Sequence, residues 1–233
     1  MIGILKSGNY RSVYNALAYL GFEAAILQQP DELKPSYRAL VVPGNGNFQS
    51  FMERLQQSGW KDTLLTWIKA ERPYLGICIG FQILFETSEE TITVRELVVP
   101  SEIIANIKPD SQLTEGLGII PGSVKKIQSS KVPLIGWNYT TFLRNIISNS
   151  YQKDEYFYYI HSYYAACSDP SIVVASATYE NTKYCAGIAY NSITAFQFHP
   201  ERSGIAGLSL LQTWANTVQS PSSISRLSRY IGG

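Results

Sequence analysis

Histidine and cysteine are scarce in this chain: two histidines and three cysteines among 233 residues. Chemistry that needs an imidazole is therefore confined to His161 or His199. Three cysteines, Cys78, Cys167 and Cys185, are an odd number with no close spacing, which excludes a disulfide framework and predicts free thiols in a reducing compartment. Charge of one sign is also missing. Nineteen Lys and Arg stand against eighteen Asp and Glu, a net charge of +1 without a basic block, so nothing here tracks a phosphate backbone. Long apolar runs are absent as well. The start, "MIGILKSGNYRS", has only a four-residue apolar run before Lys6, too short for a signal-peptide core, and no uncharged stretch approaches the roughly 20 residues of a membrane span. A cytoplasmic location is expected. What the chain does have is apolar and aromatic material, 45% and 12%, enough for one sizeable core.

Along the first half, apolar runs of strand length alternate with segments of helical period. "IGIL" (2–5), "FEAAIL" (22–27), "RALVVP" (38–43) and "PYLGI" (73–77) read as strands. Helical patterns separate them: "YRSVYNALAYLG", with Val13, Leu17 and Leu20 on one face and Gly21 as its stop, then 47–57 and 60–71. This alternation predicts βαβ units around a buried, mostly parallel sheet. The second half adds strand-like "GSVKKIQ", "EYFYYIHSYY", "SIVVASATY", "KYCAGIAY" and "ITAFQF", with Asn191-Ser192 as a hairpin turn. Extra antiparallel strands are expected there. "RSGIAGLSLLQTWANTV" predicts a last helix with Ser203 as N-cap, before a Ser-rich tail over 218–233.

Within "YLGICIGFQILFE", Cys78 follows a predicted buried strand and opens a predicted helix, the strand–turn–helix context of a nucleophile elbow. Gly76 and Gly80 have a steric reason: side chains there would collide with the neighbouring strand and helix. The helix dipole would favour thiolate at the sulfur. A cysteine is by default a small buried hydrophobe, so the context matters. His199, in "AFQFHPERSG" between a strand and the last helix, is the better base, because functional groups of α/β sheets gather at carboxyl ends of strands. Glu201, two residues on, shares its side-chain direction and can hold one ring nitrogen. The candidate catalytic set is Cys78, His199 and Glu201, with His161 as a strand histidine and Cys167 and Cys185 inert.

"PYLGICIGFQILFETSEE", "PLIGWN", "YYIHSYY" and "FQFHPERSG", in that order, resemble the class I glutamine amidotransferases, and within them the glutaminase subunits of imidazole glycerol phosphate synthases. The resemblance spans about 1–90 and 113–217 and implies a single-domain, flavodoxin-like α/β fold over 1–217, with 91–112 inserted. It implies hydrolysis of glutamine through a γ-glutamyl thioester on Cys78. Backbone N–H groups of Ile79 and of the "PGNG" segment, Gly44 and Asn45, would bind the oxyanion. Gln82, Glu90, Ser162 and Tyr163 would hold glutamine's polar ends, and no metal or cofactor is called for. The implied partner is a (β/α)8-barrel cyclase that receives the ammonia in a heterodimer, with Asn9, Trp137, Asn138, Tyr158 and Arg202 near the interface.

Three departures from the family pattern stand out. The loop at "LKSGNYRS" is about two residues shorter than usual, Leu134 replaces a histidine of the "PHxGWN" pattern, and 91–112 is the insertion. The first two fall on the expected partner-facing side. They leave open a paralogue that feeds a related barrel, for instance in amidination of a surface sugar, or a non-catalytic binding subunit.

Overall fold

The computed structural model describes residues 1–91, 113–144 and 154–218. Apart from Thr91 and Val218, the expected insertion and Ser-rich tail lie outside the described residues.

Hydrophobic strands, buried except for the part-exposed β2 at the sheet edge, alternate with amphipathic helices through the first half: β1 (Ile2–Leu5), α1 (Tyr10–Tyr19), β2 (Ala24–Leu27), β3 (Ala39–Val42), α2 (Phe48–Gln57), α3 (Trp60–Lys69) and β4 (Tyr74–Ile77). Next come α4 (Ile79–Gln82), β5 (Phe85–Ser88), β6 (Thr114–Glu115), β7 (Ile120–Lys126), β8 (Leu134–Phe142), β9 (Glu155–His161), β10 (Tyr163–Cys167), β11 (Val173–Tyr179), β12 (Thr182–Tyr190), β13 (Ile193–Phe196) and α5 (Gly204–Val218). Thirteen strands among the described residues form one sheet. Its centre runs β2-β1-β3-β4-β13, every neighbour parallel, the strand order of flavodoxin-like folds. Beyond β13 the sheet turns antiparallel through β12, β10 and β7, and β11, β8 and β9 extend it as a branch.

Alternation along the strands divides the core in two. In β3, Leu40 and Val42 join the side covered by α2 and α3, with Phe48, Phe51 and Leu64. Ala39 and Val41 join the other, with Val13 and Leu17 of α1 and Leu210, Leu211 and Trp214 of α5. Burying both faces accounts for strands that read as continuous apolar runs. Among the described residues, no helix is long and apolar enough to cross a membrane.

Several expectations shift in detail. The helix predicted after Cys78 lasts four residues before β5 begins, because the carbonyls of Ile83 and Leu84 accept from Leu117 and from Ile119 and Ile120 rather than continuing a helix. "EYFYYIHSYY" is two strands broken at Ser162, β9 on β8 and β10 on β7 and β12. "PLIGWN" belongs to β8, which the strand pattern missed because its outer row, Ile135, Trp137 and Tyr139, is apolar but exposed. The Asn191-Ser192 turn does join β12 to β13, with Asn191 at φ +51°. Ser203 precedes α5, but its hydroxyl donates to the His199 carbonyl and accepts from the Tyr158 N–H, so it ties β9 to the 199–203 turn.

Candidate active site

Cys78 sits between β4 and α4 at φ +55°, a strained conformation for a side-chain-bearing residue. Its N–H is anchored to the Phe196 carbonyl of β13 at 2.8 Å, and its own carbonyl accepts from Phe81 and Gln82. The flanking glycines are sterically required. A Cβ at Gly76 would fall 2.4 Å from the Gly80 carbonyl oxygen, and one at Gly80 would fall 1.8 Å from the Val42 carbonyl oxygen of β3. The Tyr74 hydroxyl donates to the Gly80 carbonyl at 2.7 Å and pins the turn from below. With α4 only one turn long, the dipole expected at the sulfur is that of a single turn.

The candidate base, His199, follows the adjacent strand, β13. β4 and β13 pair in parallel with Ile77 opposite Phe196, so the chain leaves both strands at the same edge, Cys78 on one side and Gln197 to His199 on the other. His199 Nδ1 and Glu201 Oε1 are 2.8 Å apart, with both side chains almost wholly buried. Asn9, at the start of α1, donates from Nδ2 to the same carboxylate oxygen at 3.0 Å, and the Ser12 hydroxyl donates to Asn9 Oδ1. The other carboxylate oxygen, Oε2, is buried without a partner among the described residues, so the charge of Glu201 is answered chiefly by the ring. Among the described residues His199 Nε2 has no hydrogen-bond partner at normal distance, yet Cys78 lies close enough to favour the charged ring. Burial opposes the imidazolium, but the Cys78 sulfur and then Glu201 outweigh it and lift His199 to about 10. Cys78 and Glu201 together therefore favour the protonated ring.

Behind the sulfur is a residue the sequence reading did not single out. Gln197, fully buried, places Nε2 3.8 Å from Cys78 Sγ and accepts at Oε1 from Gln82 Nε2 at 3.0 Å. Gln82 Nε2 also donates to the Tyr163 carbonyl at 2.8 Å, leaving Oε1 as the atom with which Gln82 can meet a ligand. The same carbonyl takes His161 Nδ1 at 2.9 Å. Burial, together with the charge on His199, pushes His161 down to about 4, so it stands neutral with its proton on Nδ1 and an unpartnered Nε2.

These groups surround a cavity of about 260 Å³, small against the roughly 300–1,000 Å³ of drug-sized ligand sites. Cys78, Ile79, Gln82, His199 and the predicted Glu90, Ser162 and Tyr163 line it, as do His161, Ile160, Asn45 and Gly46. Glu90 also accepts from the Phe48 N–H at the start of α2. Gly44 is not on the wall; it is buried against Ile79, where a Cβ would fall 1.8 Å from that side chain. Gly46, at φ +97°, takes its place in the lining. Cys167 and Cys185 are away from the cavity, and burial pushes both thiols up.

Of the residues expected at a partner surface, Trp137 is exposed, its ring edge-on to Tyr158, and the Arg202 guanidinium lies 4.5 Å over the Tyr158 ring. Arg202 and Asn9 reach the cavity as well, so this aromatic rim adjoins it. Asn138, expected near the same surface, points away from Trp137. Strand alternation turns it to the opposite face of β8 from Trp137, where its amide donates to the Thr178 carbonyl and the Tyr184 hydroxyl. Leu134 is likewise buried in the core and does not face outward.

Comparison with known proteins agrees with this geometry. Residues 5–214 match the family described as glutamine amidotransferase class-I. The imidazole glycerol phosphate synthase subunit HisH of Chlorobaculum tepidum is 35% identical over 90% of this chain and 95% of its own length. That of Methanothermobacter thermautotrophicus is 37% identical over 94% and 100%. Among solved structures, a glutamine amidotransferase superposes with a TM-score of 0.66 at 16% identity, covering 93% of this chain and 98% of that one. PurLQS from Thermotoga maritima superposes at 0.64 with 17% identity, covering 94% and 98%. With a thiol on a strained turn, a carboxylate-held imidazole on the next strand and nine-tenths of the sequence matched, the chain belongs to the class I glutamine amidotransferases.

Proposed function

We propose that the chain is the glutaminase subunit of an imidazole glycerol phosphate synthase, hydrolysing glutamine and passing ammonia to a (β/α)8-barrel cyclase in a cytoplasmic heterodimer. The observation that carries the glutaminase reading is the pairing of His199 Nδ1 with Glu201 at 2.8 Å, while Nε2 has no hydrogen-bond partner among the described residues and His199 lines the same cavity as Cys78. Cys78 attacks the side-chain amide carbon as thiolate, and the C=O pair moves to oxygen. The backbone N–H of Ile79, first in α4 and so without an i−4 carbonyl, is placed to receive that oxyanion, with the Asn45–Gly46 segment across the cavity. Protonated His199 gives its proton to the amide nitrogen, the C–N bond breaks, and ammonia leaves with the thioester formed. Neutral His199 then takes a proton from water, hydroxide adds to the thioester carbon, and glutamate departs as the sulfur is released. Glu201 and Asn9 keep the ring in one orientation throughout.

The synthase assignment is supported by the two relatives above, each matched over at least nine-tenths of both chains. Burial of Leu134 removes one reason for assigning a different barrel, because that departure lies in the core of this subunit. The exposed row Ile135, Trp137 and Tyr139 beside Arg202 is where the partner would dock, so that ammonia leaves the pocket into the barrel rather than into water. The test is glutamate release measured with this chain alone, with its barrel partner and with the partner's nucleotide ligand. Turnover that depends on Cys78 and rises with that partner supports the reading; turnover unchanged in Cys78→Ala overturns it.

A further inference from the structure

We propose that Gln197 is a positioning residue of the nucleophile, its amide N–H held against the Cys78 sulfur by a lock through Gln82. The inference deepens the glutaminase reading and rests on Cys78 being the reacting thiol.

The direction of the Gln197 amide follows from its neighbours. The Tyr163 carbonyl can only accept, so the Gln82 atom 2.8 Å from it is the nitrogen. That nitrogen then faces Gln197 at 3.0 Å, which requires an acceptor there, Oε1. Gln197 is left with its Nε2 toward Sγ at 3.8 Å. The chain is fixed from a backbone carbonyl to the sulfur, with no freedom for either amide to flip.

The sulfur has two neighbours that favour opposite protonation states. The Ile160 carbonyl, also 3.8 Å away, can accept from a thiol but opposes a thiolate. The Gln197 N–H can donate to the sulfur and favours the thiolate. Gln197 is fully buried, so its amide is held within the protein rather than exchanged with bulk water. The backbone holds the pair together: the Cys78 N–H bonds the Phe196 carbonyl, and the Gln197 N–H bonds Ala186 of β12, so the sulfur and its donor stand on adjacent chains of one sheet.

The test reads the thiol directly. Iodoacetamide alkylation of Cys78 is followed by mass spectrometry across pH in the wild-type chain, in Gln197→Met, which keeps the volume, and in the near-isosteric Gln197→Glu. Folding is checked by circular dichroism. Loss of one N–H donor should slow alkylation at neutral pH about tenfold and move the pH midpoint upward by about one unit. Glutamine kcat should fall with KM nearly unchanged. Gln197→Glu, which sets an anionic oxygen against the sulfur, should move the midpoint further in the same direction. Superimposable pH profiles in the wild type and both variants overturn the role of Gln197. Wild-type glutamine hydrolysis that survives complete alkylation of Cys78 overturns the glutaminase reading itself, so the two failures are distinguishable.

Discussion

His161 gives the chain an acid sensitivity whose size follows from its surroundings. The ring is buried, packs against Tyr159 and Tyr184, donates from Nδ1 to the Tyr163 carbonyl, and has an Nε2 that no acceptor among the described residues would meet if it were protonated. Burial and the nearby His199 charge lower it from the usual 6.5 to about 4. A depressed histidine costs stability wherever the unfolded chain takes up a proton that the folded chain refuses, here between pH 6.5 and 4. The loss approaches 2.5 units at about 1.4 kcal/mol each, or about 3 kcal/mol by pH 4. Other groups confound this little. Burial pushes the Tyr159 and Tyr184 hydroxyls up, so both rings stay neutral, and His199 changes charge on the alkaline side. The assay is urea unfolding at several pH values, comparing wild type with His161→Asn, which retains a donor for the Tyr163 carbonyl and does not titrate. The variant should be less stable at pH 7 because of lost packing. Its deficit should shrink by about 3 kcal/mol at pH 4. A deficit constant from pH 7 to 4 would refute the idea that the buried ring resists protonation.

Gly80→Ala should be severely destabilising, by roughly 3 kcal/mol or more, because a Cβ 1.8 Å from the Val42 carbonyl oxygen meets β3 backbone that cannot swing aside; a thermal melt within a degree or two of wild type would contradict this. Asn9→Ala removes one of two donors to Glu201 Oε1 and should lower glutamine kcat about tenfold while leaving KM close to wild type, read in a glutamate-release assay. Trp137→Ala should weaken binding of the barrel partner by at least 2 kcal/mol in titration calorimetry while the urea midpoint of the isolated chain barely moves, since the ring is more than half exposed. Raising pH through about 10 should cost stability through His199, because the folded chain holds that proton from the usual 6.5 upward and the unfolded chain does not; Glu201→Gln should lessen that alkaline slope in urea titrations and Cys78→Ala should lessen it more.

Local sterics made the elbow legible. Gly-x-Cys-x-Gly marks a turn where the backbone of β3 and the start of α4 leave no room for a side chain, and that demand is written into five consecutive residues. The parallel half of the sheet was legible for a related reason: strands buried on both faces must be apolar throughout, and helices between them must be amphipathic. Legibility ended where a residue's environment comes from distant parts of the chain. β8 hid because its exposed row, Ile135, Trp137 and Tyr139, is more apolar than the row of Leu134, Gly136, Asn138 and Thr140 that faces the other way, the reverse of a half-solvated strand. Asn138 looked like a neighbour of Trp137, yet a one-residue step along a strand reverses its face. Gln197 is the clearest case. Nothing in "FQFHPE" sets it apart, and its place beside the sulfur arises because Ile77 is opposite Phe196, a register fixed by two strands more than a hundred residues apart. The register that places His199 two residues beyond Gln197 therefore also places an amide against the Cys78 sulfur. A sequence that keeps Cys78, His199 and Glu201 but slips that pairing by one residue would retain every motif and lose the alignment of the sulfur, its donor and its base.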